Sequence, residues 1–531
     1  MVIALAGQND GDLAMNKAAE PSMPTNADSA RTVQAYIDET PVWRDGTPVP
    51  GAPLTRMQWW IWVLATAGKF FEGLVVFMTG VALPLIVAEF GLSAAEKGIV
   101  GAATLAGILF GASALGGLAD TFGRKHMFIV EMVIFVAFLG ALSLSPSYPL
   151  VVVFLFGMGL ALGCDYPTAH LMISESIPSR SRGRLVLSAF GFQAVGALAG
   201  TVIGYLILAN LQDVTAWRWM YATAIIPAIL VIIGRFTIAG SSHWLLARGR
   251  TQKAEQELTR LLQRRPAYPK QVKLQPAPER SAERDDKAQP GGYAELFSHR
   301  NRRATVLASL PWFLQDLGTY GIGIFTPTIL AAALGHQTAN PHNIAAIIQN
   351  DILAAKGAAL IDILLIVGIV VAVLLADRVG RIRLQVIGFV GCAVGLALAA
   401  LSQSFGGPVQ MALLVAGFML FNFMTNMGPN AQTYLLAGEV FPTRIRGRGA
   451  GFAASFAKIG AVMTAFLFPL LLAQIGVQVL LTILVSTSLL GALITFWFRI
   501  ETTGRSLEAL DVEPGRGEDQ PTPGIATRGV S

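Results

Sequence analysis

Apolar runs of helix-crossing length recur along the whole chain, and they set the terms on which it can fold. A helix needs about 20 mostly apolar residues to cross a bilayer. Segments such as 150–162, 201–210 and 363–375 sit inside runs of that order. Twelve spans can be placed, at roughly 57–88, 93–118, 126–145, 149–174, 185–210 and 216–239, then 304–334, 351–375, 384–403, 408–437, 449–474 and 477–499. Helices must make these crossings, because lipid offers no partner to an unpaired backbone N–H or C=O. The expected fold class is an all-α membrane protein of twelve transmembrane helices. Composition agrees: the 531 residues are 53% hydrophobic and 14% charged, with a mean hydropathy of +0.56. A soluble domain carries about a quarter charged residues.

Six spans, a long polar break and six more spans divide the chain. The expected layout is an N-terminal tail over 1–55, a six-helix half over 56–240, a central loop over 241–303, a second half over 304–500 and a tail over 501–531. Net charge is +6 and the pI near 9.4, but the basic residues sit in short loops: Arg124 with Lys125, then 180–184, 378–383 and 444–448. The opposite loops, for example 145–149 and 403–408, lack Lys and Arg. That asymmetry is the positive-inside pattern. It makes a multi-pass protein of the cell membrane with both termini and the central loop in the cytoplasm, and it removes the case for a nucleic-acid partner. Cys164 and Cys392 fall within spans, so no disulfide framework is implied. The opening MVIALAGQNDGD has too short an apolar run, and no leading positive charge, for a cleaved signal peptide.

Two charged motifs are written twice. SESIPSRSRGR at 174–184 returns as GEVFPTRIRGR at 438–448, with glutamate, proline, glycine and three arginines kept at an offset of 264. GGLADTFGRK follows the second span, and VLLADRVGRIR follows the eighth. Motifs recurring at matched places in two six-span halves mean an internal duplication, with the halves related by an axis along the membrane normal. The first loop pattern resembles the loop signature of the major facilitator superfamily, and the ExxPxRxRG pair resembles its partner after spans four and ten. The resemblance runs over about 57–510 and includes ETTGRSLE at 501–508; in the second loop copy Val373 replaces the leading glycine. It implies pseudo-symmetric halves and a transporter. Asp120, Arg124 and Arg180, with their counterparts Asp377, Arg381 and Arg444, are expected to make contacts that hold the cytoplasmic side shut in one state and break in the other. The alternative, that these arginines only fix topology, stays open.

The few polar residues inside the spans carry the functional information. An ionisable side chain near the bilayer centre costs several kcal/mol and faces a cavity or a partner. Glu72 lies in GKFFEG, Asp165 in GCDYP, Asp316 in span seven and Lys458 in span eleven. Three acids and one base leave an excess of about two negatives, so at least one carboxyl is expected to take up a proton, as proton coupling requires. In span seven, Trp312, Asp316 and Tyr320 stand at i, i+4 and i+8 and so share a helix face.

Trp-x3-Asp-x3-Tyr, Asp165-Tyr166-Pro167, Gln193, Gly428-Pro429-Asn430 and Lys458 resemble the phosphate:proton symporters. The resemblance implies that Tyr166, Gln193, Trp312, Asp316, Tyr320, Asn430 and Lys458 surround the substrate. It also implies that Glu72 and Asp165, with Asp316, carry the proton. Phenol, amide, indole and ammonium donors suit a tetrahedral oxyanion. Two positions depart from the pattern: Glu72 stands where an aspartate is usual, and Val75 where a second aspartate is usual. The stretch SSHWL at 241–245 only faintly resembles the sugar-porter close of span six, and His243 is read as a cytoplasmic surface residue. Glu131 and Arg235 lie nearer the cytoplasmic ends of their spans, to snorkel or pair there. Asp362 sits well inside span eight. Asn422 and Asn426 line a cavity or bond helix to helix.

Residues 1–55 read as a mobile tail. Thr251–Leu262 reads as an amphipathic helix with Ala254, Leu258, Leu261 and Leu262 on one side. Residues 264–292 and the tail after 511 have the composition of disordered segments. The sequence carries no P-loop, no metal-ligand cluster and no catalytic triad, which speaks against an enzyme, a cofactor or metal site and an ATP-driven pump. The expected partners are a small-molecule substrate, protons and the bilayer, and the expected state is a monomer. The favoured activity is proton-coupled symport of a small anion, inorganic phosphate first. Symport of a carboxylated metabolite or a sugar is the alternative, and a nutrient sensor that binds without flux and signals through 241–303 is a third reading.

Overall fold

Local signals start the first helices where the apolar runs begin. The Thr55 side chain accepts the Gln58 N–H while the Gln58 side chain accepts the Thr55 N–H. Ser93 and Glu96 make the same reciprocal pair. These capping boxes satisfy amides that a helix N-terminus leaves open. Gly91, at φ 64°, takes the left-handed turn that ends the first span. The computed structural model describes residues 30–42, 48, 54–115, 118–264, 272–275, 293–335, 344–442 and 445–502.

The spans in chain order are Arg56–Phe90, Ala94–Ser113, Arg124–Ser143, Tyr148–Ser176, Ser179–Asn210 and Ala216–Thr237 in the first half. In the second half they are Arg302–Gly335, Ile344–Val379, Arg381–Leu401 and Gly407–Glu439, followed by Arg446–Trp497. Ten helices among the described residues are long and apolar enough to cross a membrane. Arg446–Trp497 is in fact two helices, divided at Gly476 with φ 74° and ψ 171°, a conformation open to glycine at little cost. Arg302–Gly335, 34 residues long, completes the expected twelve as span seven. Among the described residues there is no β-strand, only the isolated bridges Arg31–Leu274 and Val42–Pro48.

Within the halves the first span packs on the fifth, the second on the fourth, and the seventh on the eleventh. The seam between halves sets the second span against the eleventh and the fifth against the eighth. Phe325 and Phe468 stack within the shared core at 4.7 Å and 6°. On the outer surface Ile226, Leu230, Ile233 and Phe236 of the sixth span are all more than half exposed. Apolar side chains left bare in such a stripe suit lipid contact. Spans one and five approach so closely that a Cβ on Gly196 would lie 1.9 Å from the Phe70 carbonyl oxygen. Small residues of this kind are what let membrane helices pack backbone to backbone.

The duplicated motifs meet each other inside each half. Arg124 reaches Glu175 at 3.4 Å and donates to the Ala119 carbonyl. Its counterpart Arg381 reaches Glu439 at 2.6 Å. Glu175 also accepts from Ser241, and Glu439 from Thr502 at 2.5 Å. The repeated glutamate is thus the receptor for the repeated arginine, which answers why both motifs occur twice. Arg180 is exposed. The side chains of Asp120 and Asp377, and Arg444 as a whole, lie outside the described residues.

On the same face the chain is more ordered than its sequence suggests. The tail expectation fails for residues 30–42. Val33–Asp38 is a helix that buries Val33, Tyr36 and Ile37, and Asp38 accepts the N–H (2.7 Å) and the hydroxyl (3.0 Å) of Ser179, the first residue of the fifth span. A carboxylate there satisfies open helix amides and meets the positive end of the helix dipole. Arg31 pairs by backbone with residues 273 and 275 of the central loop. Thr251–Leu262 forms as read, with Ala254, Leu258, Leu261 and Leu262 buried. Val272 and Leu274 are buried with it, so the disorder expected for 264–292 does not hold for the four described residues 272–275; the rest of that stretch after 264, and the end of the chain, lie outside the described residues. His243 is half-buried rather than at the surface, and burial pushes its imidazole below the usual histidine range against the pull of Glu175.

Gly196→Ala is expected to force spans one and five apart and cost about 1–3 kcal/mol. Gly140, where an added Cβ meets nothing within 4 Å, is the control. Thermal unfolding of the detergent-purified protein should drop for Gly196→Ala and stay in place for Gly140→Ala.

Candidate functional site

The polar residues singled out inside the spans fall into two buried layers. In the first, spans one and five of one half meet spans seven and eleven of the other around Glu72. Tyr320 donates its hydroxyl hydrogen to Glu72 Oε1 at 2.9 Å. Lys458 Nζ lies 2.5 Å from the Tyr320 hydroxyl, 3.4 Å from Glu72 Oε1 and 3.4 Å from Asp316 Oδ2. Gln193 donates to the Tyr320 hydroxyl at 3.0 Å and to Glu72 Oε1 at 3.5 Å. Glu72, Asp316 and Tyr320 are each no more than 3% exposed. The i, i+4 spacing on span seven delivers Asp316 and Tyr320 to the same ammonium, as the helix face requires.

The second layer lies between spans three, four and six. Asp165 Oδ1 is 2.6 Å from the Arg235 guanidinium, which also lies 3.6 Å from Glu131 Oε1. Arg235 is fully buried, donates to the Phe128 carbonyl and stacks over the Phe128 ring. It pairs, then, but does not snorkel. Glu131 is 2% exposed, and neither of its oxygens accepts a hydrogen bond among the described residues. A narrow cavity joins the layers: Lys69, Glu72, Asp165, His170, Phe190 and Tyr434 all line it.

Lys69 is the residue that sequence reasoning passed over. Its ammonium lies 2.5 Å from Glu72 Oε2, the oxygen opposite the one that Lys458 approaches, and 5.3 Å from the centre of the Phe190 ring. A lysine three positions before a buried glutamate on one helix face was the available signal. Lys69, Glu131 and Arg235 add two bases and one acid to the charges counted from the sequence, and Asp362 adds a further buried acid, so five acids stand against three bases.

The other expected ligands sit towards the basic loops. Trp312 is buried and meets Tyr434 edge to face at 6.2 Å. Asn430 donates to Asn426 at 2.6 Å, and Asn426 donates to the Leu365 carbonyl. Neither bonds to the Glu72 cluster. The Tyr166 side chain lies outside the described residues. Tyr434 also stacks on Phe190 at 4.5 Å and 18° and sits 3.1 Å from His170 Nδ1. His170 and Tyr434 are 264 residues apart, the offset of the repeats, so equivalent positions of the two halves meet across the seam. Asp362 is a second bridge: it accepts from Thr201 of the first half at 2.8 Å and from Asn422 at 3.1 Å. Among the described residues no group of three His, Cys, Asp or Glu is placed to hold a metal ion.

Arg235→Met leaves Asp165 and Glu131 buried together without a cation. The expected cost is about 3–5 kcal/mol, read as a lowered unfolding temperature or loss of monodisperse protein. Adding Asp165→Asn to Arg235→Met should recover part of that loss.

Comparison with known proteins places the chain. Residues 60–513 match the family described as "Sugar (and other) transporter". The putative metabolite transport protein YaaU of Escherichia coli (strain K12) is 29% identical over 447 residues, 83% of this chain and 92% of that protein. The probable inorganic phosphate transporter 1-6 of Arabidopsis thaliana is 28% identical over 456 residues, 80% of this chain and 84% of that one. Among solved structures, the partially occluded inward-open xylose transporter XylE from E. coli superimposes with a TM-score of 0.67 at 21% identity, over 85% of this chain and all of that one. Six helices and six helices, duplicated loop motifs and a buried polar chamber at the seam are thus features of a chain that belongs to the sugar (and other) transporter family, a multi-pass membrane transporter with the major facilitator fold and not an enzyme.

Proposed function

We propose that the protein is a proton-coupled symporter of a small anion, inorganic phosphate first among the candidates, working as a monomer by alternating access with both termini in the cytoplasm. The observation that carries this reading is Lys458. It is a buried ammonium shared between carboxylates of both halves and bonded to a tyrosine. A transporter for a neutral substrate has little use for a cation there, whereas an oxyanion finds Lys458, Tyr320 and Gln193 as convergent donors.

The coupling follows from charge. An anion arriving at Lys458 competes with Glu72 and Asp316, and an ionised Asp316 beside it would repel it. A proton on Asp316 removes that repulsion. Glu72 belongs to one half and holds Tyr320 and Lys458 of the other. Protonated, it weakens its grip, and the halves can rock so that the chamber opens to the opposite side. The Asp165–Arg235–Glu131 layer, joined to Glu72 by the cavity, is the route by which protons reach it. The phosphate transporter among the relatives supports the choice of anion.

Symport of a carboxylated metabolite or a sugar is the second reading. It draws on Val75, which stands where phosphate symporters carry an acid, and on relatives named as metabolite transport proteins. Uptake of labelled phosphate into proteoliposomes, driven by an acidic exterior and challenged with xylose and carboxylic acids at several pH values, separates the readings. Phosphate uptake that phosphate but not xylose competes is expected. Uptake competed only by xylose would remove the anion, and binding without flux would mark a sensor.

Asp316→Asn is expected to abolish concentrative uptake, and full retained activity would take it out of the mechanism. Glu72→Gln should leave exchange across the membrane while flattening the dependence of accumulation on the proton gradient. Lys458→Ala should raise the apparent substrate constant tenfold or more, about 1.4 kcal/mol per decade, in the same assay.

A further inference from the structure

Glu72 is gripped from both sides. Lys69, on its own helix, holds Oε2 at 2.5 Å, and Lys458, from the other half, approaches Oε1 at 3.4 Å. Two ammonium groups on the two oxygens of one carboxylate is the arrangement in which a ligand with two anionic oxygens would sit. Lys69 is not held away from the chamber: it lines the same cavity as Glu72 and sits against the face of Phe190, itself a cavity-lining residue. The charges of this layer balance, since Lys69 and Lys458 face Glu72 and Asp316.

The geometry points to Lys69 and Lys458 as a two-cation clamp for a divalent oxyanion, with Glu72 as an internal stand-in that gives up its place when protonated. The inference rests on the anion reading above and adds the valence of the substrate and the second residue that selects it. The proton comes from water and adds to a Glu72 carboxylate oxygen, giving the neutral acid. With Asp316 protonated as well, as in the symport reading above, the two ammoniums leave this layer at +2, and a dianion restores the balance in a way that a monoanion does not. The titratable groups facing this position are few. Span four presents Asp165 and His170, span seven Asp316 and Tyr320, and span ten Tyr434, while span five presents Gln193, Phe190, Val186 and Ala189. Of these, Asp316 is the other carboxylate on the Lys458 ammonium, so the pH response of the clamp belongs to Glu72 and Asp316 together.

The test compares tetrahedral phosphorus probes of two valences. Binding of inorganic phosphate to the full-length purified protein is measured, with competition by methylphosphonate, which offers two ionisable oxygens, and by dimethyl phosphate, which offers one. Lys69→Gln is expected to weaken phosphate and methylphosphonate about tenfold, the size of one lost charged hydrogen bond, and dimethyl phosphate by less than twofold. Lys69→Arg, which keeps the charge, should hold the preference for the divalent probe, and it serves as the test should Lys69→Gln fail to purify. Glu72→Gln should lessen the loss of phosphate binding as pH rises, the remainder belonging to Asp316. Equal weakening of both probes by Lys69→Gln, or none, would overturn the clamp while leaving an anion transporter. Loss of the divalent preference in Lys69→Arg would overturn it as well. If the wild-type protein binds neither phosphorus probe but binds xylose, the anion reading itself falls, and the clamp with it.

Discussion

Holding a charge in a low-dielectric interior is tolerated only where opposite charge and hydrogen bonds surround it, and the middle of this protein is arranged around that requirement. Glu72 is bonded by Lys69, Tyr320 and Gln193 and approached by Lys458. Asp165 is bonded by Arg235. Neither group can be withdrawn without leaving its partners exposed to apolar surroundings. The cost of that exposure couples residues from spans one, five, seven and eleven. A change in charge at any one of them would be felt by all.

The same requirement explains why the buried polar residues that lie at the seam are paired across it. Thr201 with Asp362 and His170 with Tyr434 join opposite halves, as do Glu72 and its partners. Elsewhere the seam is tightly packed: a Cβ on Gly98 would lie 2.3 Å from the Phe466 carbonyl oxygen of span eleven. Close packing favours a few discrete arrangements over continuous deformation. A seam that is close-packed and pinned by a handful of titratable bridges suits two end states separated by a shift of the halves.

Much of this was legible from the residues. Twelve apolar runs gave the spans, the offset of 264 gave the two halves, and the spacing of Asp316 and Tyr320 put both beside one ammonium. The helix at 251–262 declared itself through its apolar stripe. Lys69 was legible in principle, because its partner is only three residues away on the same helix. Arg235, Glu131 and Asp165 were not legible as a set. Their pairing is made by the packing of spans three, four and six, and no local pattern announces which buried cation will meet which buried acid. The helix Val33–Asp38 was hidden for a different reason: six residues are too few for a periodic signal, and its capping contact is with Ser179, 141 residues away.

The arginine–glutamate clasps carry a mechanical consequence. Arg124 with Glu175 and Arg381 with Glu439 each tie the ends of spans three and four, or nine and ten, within one half. Each clasp lies within one half, so a shift of one half against the other would leave both whole, each half moving as a stiff lever. The difference in free energy between the end positions then has to arise at the contact line between the levers, where a small number of side chains can be tuned without disturbing the frame that carries them.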